Sequence, residues 1–421
     1  MQAFDQRWRA ILLAGLPFLF AAADWTQFRG PAGGGVSDAT GILTEWSESR
    51  SIRWKTALPG PGASSPIVLG ERAYLTCYSG YGLNEDEPGA AADLQRHVLC
   101  FDFARGTILW DLPLRPTGPD HPYQGYQALH GYASSTLATD GELLFAFCGS
   151  SGVVAVSLDG QLRWSSSVGT KTHGWGTGTS PVLYQDLVIV NASVESGALV
   201  ALRKANGNEA WRVSGIDSSW STPVLVPLPG GATELVVSMK NRLWAFDPAT
   251  GQELWWCDGF QDYVCPSAIA HDGIVYAIGA RRNSALAVRA GGRGDVTQSH
   301  QLWSLRKGSN VSSPVYHDGH LYWVHQDGGT ACCVDAQTGA VVYEERLAPR
   351  PGRIYASPVV ADGRIYVVSR SSGVYVLAAR PQFELLAHNP ALDDSIFNGS
   401  PAVVDGKLLI RSDKFLYCVG E

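Results

Sequence analysis

Ser312-Ser313-Pro314-Val315-Tyr316-His317-Asp318-Gly319-His320-Leu321-Tyr322-Trp323-Val324 reads as two short apolar runs joined by Asp-Gly and introduced by a Ser-Pro step. Asp-Gly between such runs marks a two-residue hairpin, because type I′ geometry needs positive φ at both central positions. Ser313 to His317 is thus an inner strand and His320 to His325 its partner. Thr330 to Asp335 makes a third strand, Gln337-Thr338-Gly339 turns the chain, and Val341 to Glu344 makes an outer one. Working outward, the opening phrase recurs as Ser64-Ser65-Pro66, Ser180-Pro181, Ser221-Thr222-Pro223, Cys265-Pro266, Ser357-Pro358 and Ser400-Pro401, with Ser134-Ser135-Thr136 as an eighth copy lacking the proline. From Ser135 onward the copies lie about 42 to 47 residues apart, the period of four-stranded propeller blades.

Asp-Gly also occurs at Asp140-Gly141, Asp272-Gly273, Asp362-Gly363 and Asp405-Gly406, so five blades are expected to share one turn. The outer hairpin carries its own phrase, Ala245-Phe246-Asp247-Pro248-Ala249-Thr250-Gly251-Gln252-Glu253-Leu254-Trp255. Looser copies end at Trp110, Trp164, Trp211, Trp303 and Tyr343, and Leu386 stands near that slot in blade seven. The last blade stops at Cys418-Val419-Gly420-Glu421 without an outer strand. Ser51 to Thr56 has strand composition and holds Trp54. The chain is therefore read as all-β, a single eight-bladed propeller of four-stranded antiparallel blades. Residues 51–56 are expected to lie beside Leu416 to Val419 and close the ring, removing two exposed sheet edges.

Composition agrees: 47 glycines and 23 prolines suit many tight turns, and apolar residues make up 45% of the chain. Arg7 and Arg9, an apolar run from Ala10 to Phe20 and Ala21-Ala22-Ala23 read as a signal peptide cleaved near Ala23-Asp24. Three segments follow: signal peptide 1–23, head segment 24–50 and propeller 51–421. The expected product is periplasmic or secreted, with no membrane span after cleavage, and monomeric. A net charge of −7 argues against a nucleic-acid partner. Of eight cysteines, Cys100, Cys333 and Cys418 occupy a recurring slot held by Ala155, Ala201 and Ala245 elsewhere, and so read as small buried hydrophobes. Cys257 and Cys265 flank a short inter-blade segment and form the candidate disulfide.

The phrase Ala-x-Asp-x-x-Thr-Gly-x-x-x-Trp resembles the tryptophan-docking motif of the pyrroloquinoline-quinone (PQQ)-type propeller repeat. The resemblance runs from Trp25 to the end. Trp25-Thr26-Gln27-Phe28-Arg29-Gly30-Pro31, His130 to Ser135 and Leu286 to Gly292 are similar to segments of secreted bacterial PQQ-like proteins of a planctomycete-type branch. The resemblance implies two opposite functions. Quinoprotein dehydrogenases oxidise alcohols or sugars with PQQ and calcium. The propeller lipoprotein of the outer-membrane assembly machinery only binds partners.

The residues expect little chemistry. Cys332-Cys333 lies inside a strand, where neighbours face opposite ways, so it does not match the adjacent-Cys disulfide of the dehydrogenases. No Cys-x-x-Cys-His, phosphate loop or zinc spacing is present. The residues just before each inner strand should gather at one end of the channel: His130, Tyr132, His173, Trp175, Asp217, Trp220, Asp262, Tyr263, Asn310, Arg353, Tyr355, Asp394 and Phe397. Aromatics and polar groups converging on one cavity make a ligand site, or else plug the channel. The insertion from Pro113 to Gly131 leads into His130 and is placed to cover that mouth. The expectation is a non-catalytic binding or scaffold module for an envelope protein, peptide or glycan, with no cofactor or metal. The alternative is a PQQ- and calcium-dependent dehydrogenase, for which Asp262, Asp394, Asn310 and Arg353 are the candidate cofactor residues.

Overall fold

The computed structural model describes residues 24–281 and 283–421; the signal-peptide segment lies outside the described residues. Eight four-stranded antiparallel sheets follow one another along the chain. In blade six the strands are Val315–His317, His320–Val324, Thr330–Asp335 and Val341–Arg346. The last blade takes its outer strand, Ile52–Ala57, from the start of the ring, with Trp54 opposite Cys418 and Thr56 opposite Leu416. Two blades gain a short parallel strand: Gly294–Asp295 on blade four, and Val36–Ser37 on the inner strand of blade seven. No helix among the described residues is long and apolar enough to cross a membrane.

The Ser-Pro phrase has a mechanical role. Seven of the eight hydroxyls in that slot accept the backbone N–H of their counterpart in the preceding blade. Ser65 N–H donates to Thr136 Oγ1 at 2.9 Å, Thr136 N–H to Ser180 Oγ at 3.0 Å and Ser180 N–H to Thr222 Oγ1 at 3.0 Å. The series continues through Ser267, Ser313, Ser357 and Ser400 at 2.9–3.0 Å. Seven bonds thus link the eight blades around the axis, and only Ser65 Oγ, at the seam, is buried without a partner. This ring corrects two alignments. The blade-two slot is Thr136 itself, and the blade-five slot is Ser267, two residues beyond Cys265. The bonds that join consecutive blades, from Thr136 round to Ser400, then span 42 to 46 residues.

The Asp-Gly turns hold at four of five sites, where Asp272, Asp318, Asp362 and Asp405 have φ of 44–51° and the following glycines 69–75°. Asp140 does not take positive φ. Its carboxylate instead accepts the N–H groups of Glu142 and Leu143 at 3.1 and 3.0 Å, so a side chain closes that turn.

Between blades, the aromatic and small slots interlock. Trp54, Trp110, Trp164, Trp211 and Trp303 each face a small residue on the third strand: Cys418, Cys100, Ala155, Ala201 and Ala287. Each indole N–H donates to a carbonyl of the next blade's outer hairpin, at 2.7–3.2 Å. Each ring lies on a glycine of that hairpin. A Cβ on Gly106 would stand 2.4 Å from Trp54, and Gly106 has φ of +73°. Only glycine serves both demands. Trp255 departs, since blade five replaces the Thr-Gly turn with an insertion; its indole donates to buried Glu234 at 2.6 Å. In blade seven Ala387, not Leu386, stands opposite Val376.

All eight cysteines are free. Cys332 and Cys333 point to opposite faces, into the packing toward blades five and seven respectively. The expected Cys257–Cys265 bridge does not form. Cys257 sits on the outer strand of blade four opposite Leu243, with its sulfur 3.8 Å from Gln301 Oε1, whereas Cys265 lies on the channel axis.

The head segment crosses one end of the channel. Trp25 and Val68 exchange two backbone hydrogen bonds at 2.9 Å in blade one, and Thr139 N–H donates to Thr26 O in blade two. Buried Arg29 reaches the Pro314 carbonyl of blade six, and Val360 N–H of blade seven donates to Gly35 O at 2.7 Å. Phe28 is left at the centre, where it walls both the upper chamber and a lower cavity.

Candidate functional site

The loops that precede the inner strands enclose an upper chamber of about 360 Å³ floored by Phe28. Seven of the thirteen expected residues line it: His130, Trp175, Trp220, Tyr263, Asn310, Arg353 and Tyr355. Trp175 is the hub. Its ring centroid lies 4.9 Å from Trp220, 4.4 Å from Tyr263 in an edge-to-face contact, and 5.5 Å from Tyr126. Trp220 is fixed by its indole N–H, which donates to Gly176 O at 2.8 Å.

Polar groups are aimed into the same space. The Asn310 amide donates to the Tyr263 hydroxyl at 2.7 Å, and its backbone N–H donates to Gln326 Oε1 at 2.8 Å. Asn310 Oδ1 is buried with no partner among the described residues. A buried acceptor left unpaired costs about 1–3 kcal/mol, which a ligand donor would recover. Arg353 Nε stands 3.7 Å from Asp327, and both side chains are more than half exposed.

His130 acts as a strut. Its Nε2–H donates to Trp175 O at 2.7 Å and its Nδ1 accepts the Ser134 hydroxyl at 2.6 Å. Burial lowers its pKa, consistent with the neutral tautomer these bonds require. The insertion that ends at Gly131 borders the chamber, which Tyr126 and Leu129 help to line. The carbonyl of Leu129 accepts from Arg370 of blade seven at 3.1 Å and from the Asn398 amide of blade eight at 2.8 Å, across the seam of the ring. Arg370 also sits 4.7 Å from the centroid of Tyr355. Cys265 lines the chamber, and burial pushes its thiol up to about 12, which removes it as a nucleophile.

Six expected residues lie elsewhere. Gly131 turns the chain at φ +70°, and Tyr132 goes beneath the insertion, edge-on to Tyr78 at 5.3 Å. His173 packs behind Trp175 and Trp220, at 5.5 and 5.0 Å. Asp217 is exposed and accepts the Ser218 hydroxyl. Asp262 caps Tyr263 N–H at 2.9 Å and faces Arg281 at 3.6 Å. Asp394 pairs with Lys414 at 2.7 Å with its side chain 85% exposed. Phe397 is core, stacked near Tyr417. Sequence reasoning missed Phe28, Tyr126, Gln326, Asp327 and Asn398. Gln326 and Asp327 follow the second strand of their blade, so the repeat register alone could have placed them on this end. Phe28 had no such signal, because the head stands outside the repeat.

An eight-bladed propeller with an aromatic chamber on its axis is the class these features define. The chain belongs to the PQQ-like repeat family, whose model, described as outer membrane protein assembly factor BamB, matches residues 27–255, 160–293 and 272–414. The matches overlap because a repeat model can settle in more than one register. Among curated proteins, no sequence matches it. Similar solved structures include BamB from Moraxella catarrhalis, at 15% identity and TM-score 0.61, covering 88% of this chain and 97% of that one. A europium-containing methanol dehydrogenase is similar at 11% identity and TM-score 0.64, covering 95% and 98%. Quinohemoprotein alcohol dehydrogenase from Comamonas testosteroni is similar at 11% identity and TM-score 0.57, covering 94% and 80%. At such identities these likenesses carry the fold alone.

Proposed function

We propose that this chain is a non-catalytic binding module of the cell envelope that holds a peptide or glycan of its partner in the upper chamber. The carrying observation is the wall itself: Trp175, Trp220, Tyr263 and Tyr355 offer ring faces and edges, and the orphaned Asn310 Oδ1 offers one directed acceptor. Rigid aromatics with a few placed polar groups are the usual make-up of a recognition site. The family description and the signal-like first residues support an envelope location.

The dehydrogenase alternative asks more of the chamber. Calcium prefers six to eight oxygen ligands, several of them carboxylates. Asp327 is the one carboxylate on the wall, and it faces Arg353. Asp262 and Asp394 are turned outward to Arg281 and Lys414. Among the described residues no group of three His, Cys, Asp or Glu side chains is arranged to hold a metal. The donor set therefore does not fit a calcium-held quinone.

Tryptophan fluorescence and thermal denaturation with glycan and peptide arrays, and separately with PQQ plus calcium, test the reading. A hit that quenches fluorescence and is lost in Trp175→Ala or Asn310→Ala supports it. Stoichiometric, stabilising binding of PQQ, with dye-linked alcohol oxidation, overturns it.

A further inference from the structure

Below Phe28 the channel opens into a second cavity of about 550 Å³. Its walls are the inner strands of blades three, four and five on one side and head residues Gln27 to Gly33 on the other. The inner strand of every blade presents one residue's backbone to the channel, three positions after the ring hydroxyl. In blade one that residue is Val68, whose N–H and C=O both bond to Trp25. In blade two it is Thr139, which donates to Thr26 O, and in blade seven Val360, which donates to Gly35 O. In blade eight it is Val403, whose carbonyl accepts the Ser37 hydroxyl at 3.3 Å. All four are buried.

The equivalent residues of blades three, four and five are Leu183, Leu225 and Ala270. Their pairing with Val188, Leu235 and Val275 matches that of Val68 with Ala73. That register leaves their N–H and C=O facing the channel, as those of Val68 do. None of the three has a hydrogen bond on that side among the described residues, and all three are only partly buried. Pro181, Val182, Pro223, Val224 and Ala268 give the wall apolar surface, and Gln27, Thr222, His271 and Asp272 bring polar groups to its edge. The head segment thus caps one arc of an otherwise equivalent ring of edges and leaves the other arc open.

We infer that this open arc is a second binding site, taking an extended, apolar, uncharged peptide segment of a partner protein by strand addition to the inner strand of blade four, Val224–Pro227. The head segment supplies the template, since it already makes this kind of backbone contact on blades one, two and seven. An incoming strand would lie between the head and the open edges, continuing that layer. About four residues fit, matching Val224–Pro227 at ~3.3 Å each. Backbone bonds give affinity and the apolar walls select side chains. The site lies on the opposite side of Phe28 from the chamber, so it stands or falls independently of the function proposed above.

Hydrogen exchange on the whole protein tests it, with the acetylated, amidated peptide Val-Thr-Val-Ser-Val as probe and its backbone N-methylated copy as control. In the free protein the Leu183, Leu225 and Ala270 amides should exchange far faster than that of Val68. The plain peptide should protect the Leu225 amide, and the methylated copy should bind at least about tenfold more weakly. Leu225→Pro, which removes an N–H that the ladder does not use, should weaken binding of the plain peptide to the level of the methylated copy. Amides already as protected as that of Val68, equal binding of both peptides, or no protection at millimolar peptide overturns the inference. Each readout uses the unmodified protein, so a folding defect in the variant does not rescue it.

Discussion

Replacing Glu195 by Gln should make this protein more stable at neutral pH and leave it unchanged in acid. Glu195 is 2% exposed. The Thr177 hydroxyl donates to its Oε1, and its Oε2 is buried without a partner. Burial outweighs the hydrogen bonds and raises its pKa from 4.5 to about 7. A carboxyl with a raised folded pKa holds its proton longer in the native state than in the unfolded chain. Its contribution is therefore fully present below about pH 4.5 and is lost as pH rises through about 7. The shift converts, at about 1.4 kcal/mol per pH unit, to a loss of about 3 kcal/mol across that window. Glutamine keeps the shape and the Thr177 bond but does not titrate. Urea unfolding of both proteins near pH 4.5, 6 and 8 reads the difference as a function of pH. The two curves should agree within about 1 kcal/mol at the acid end and separate by about 3 kcal/mol by pH 8, with the variant above. A gap that stays constant across the window would refute the reasoning, because it would mean the carboxylate is compensated when charged.

The hydroxyl ring gives a paired test by thermal or chemical denaturation. Ser313→Ala should strand the Ser267 N–H and cost about 1–3 kcal/mol, whereas Ser65→Ala, whose hydroxyl has no partner, should cost clearly less. Equal losses would remove the ring as the explanation of the Ser-Pro phrase. Gly106→Ala meets both positive φ and the Trp54 ring at 2.4 Å, and should cost about 2–4 kcal/mol. Gly41→Ala, with the same φ of +73° and nothing within 4 Å, isolates the backbone part and should cost less.

The ring of eight blades was legible because its determinants repeat. A hydroxyl at one slot, a small residue at another and Trp-on-Gly at a third serve the same contact in blade after blade. Even the closing strand could be read, since Cys418 lacked its aromatic partner and Trp54 lacked its small one. Where reading slipped, a local substitution did the same job by other means. Asp140 closes its turn with a carboxylate rather than left-handed backbone, and Cys265-Pro266 imitates the phrase two residues before the real slot, Ser267. The chamber was half legible for a related reason. Position before an inner strand brings a residue to the correct end, but one glycine decides whether the side chain enters. Gly131 sends Tyr132 under the insertion, while the Gly176 carbonyl holds Trp220 in the wall. Cys257 and Cys265 are close in sequence, yet one strand direction carries the first to the rim and the next loop carries the second to the axis.

What the repeat could not announce is the part that breaks it. Eight near-equivalent inner edges would give a channel the same all round, with no reason for a ligand to prefer one arc. The head segment removes that equivalence. It satisfies Val68, Thr139, Val360 and Val403, seats Arg29 against Pro314, and leaves Leu183, Leu225 and Ala270 open. It also sets Phe28 between two cavities, the upper one rich in rings and amides and the lower one bordered by bare backbone edges. An unpaired peptide group beside apolar walls is costly unless water or another strand meets it. That cost falls on one arc only, and it makes the lower opening specific for an extended chain and leaves the choice of rings to the upper one.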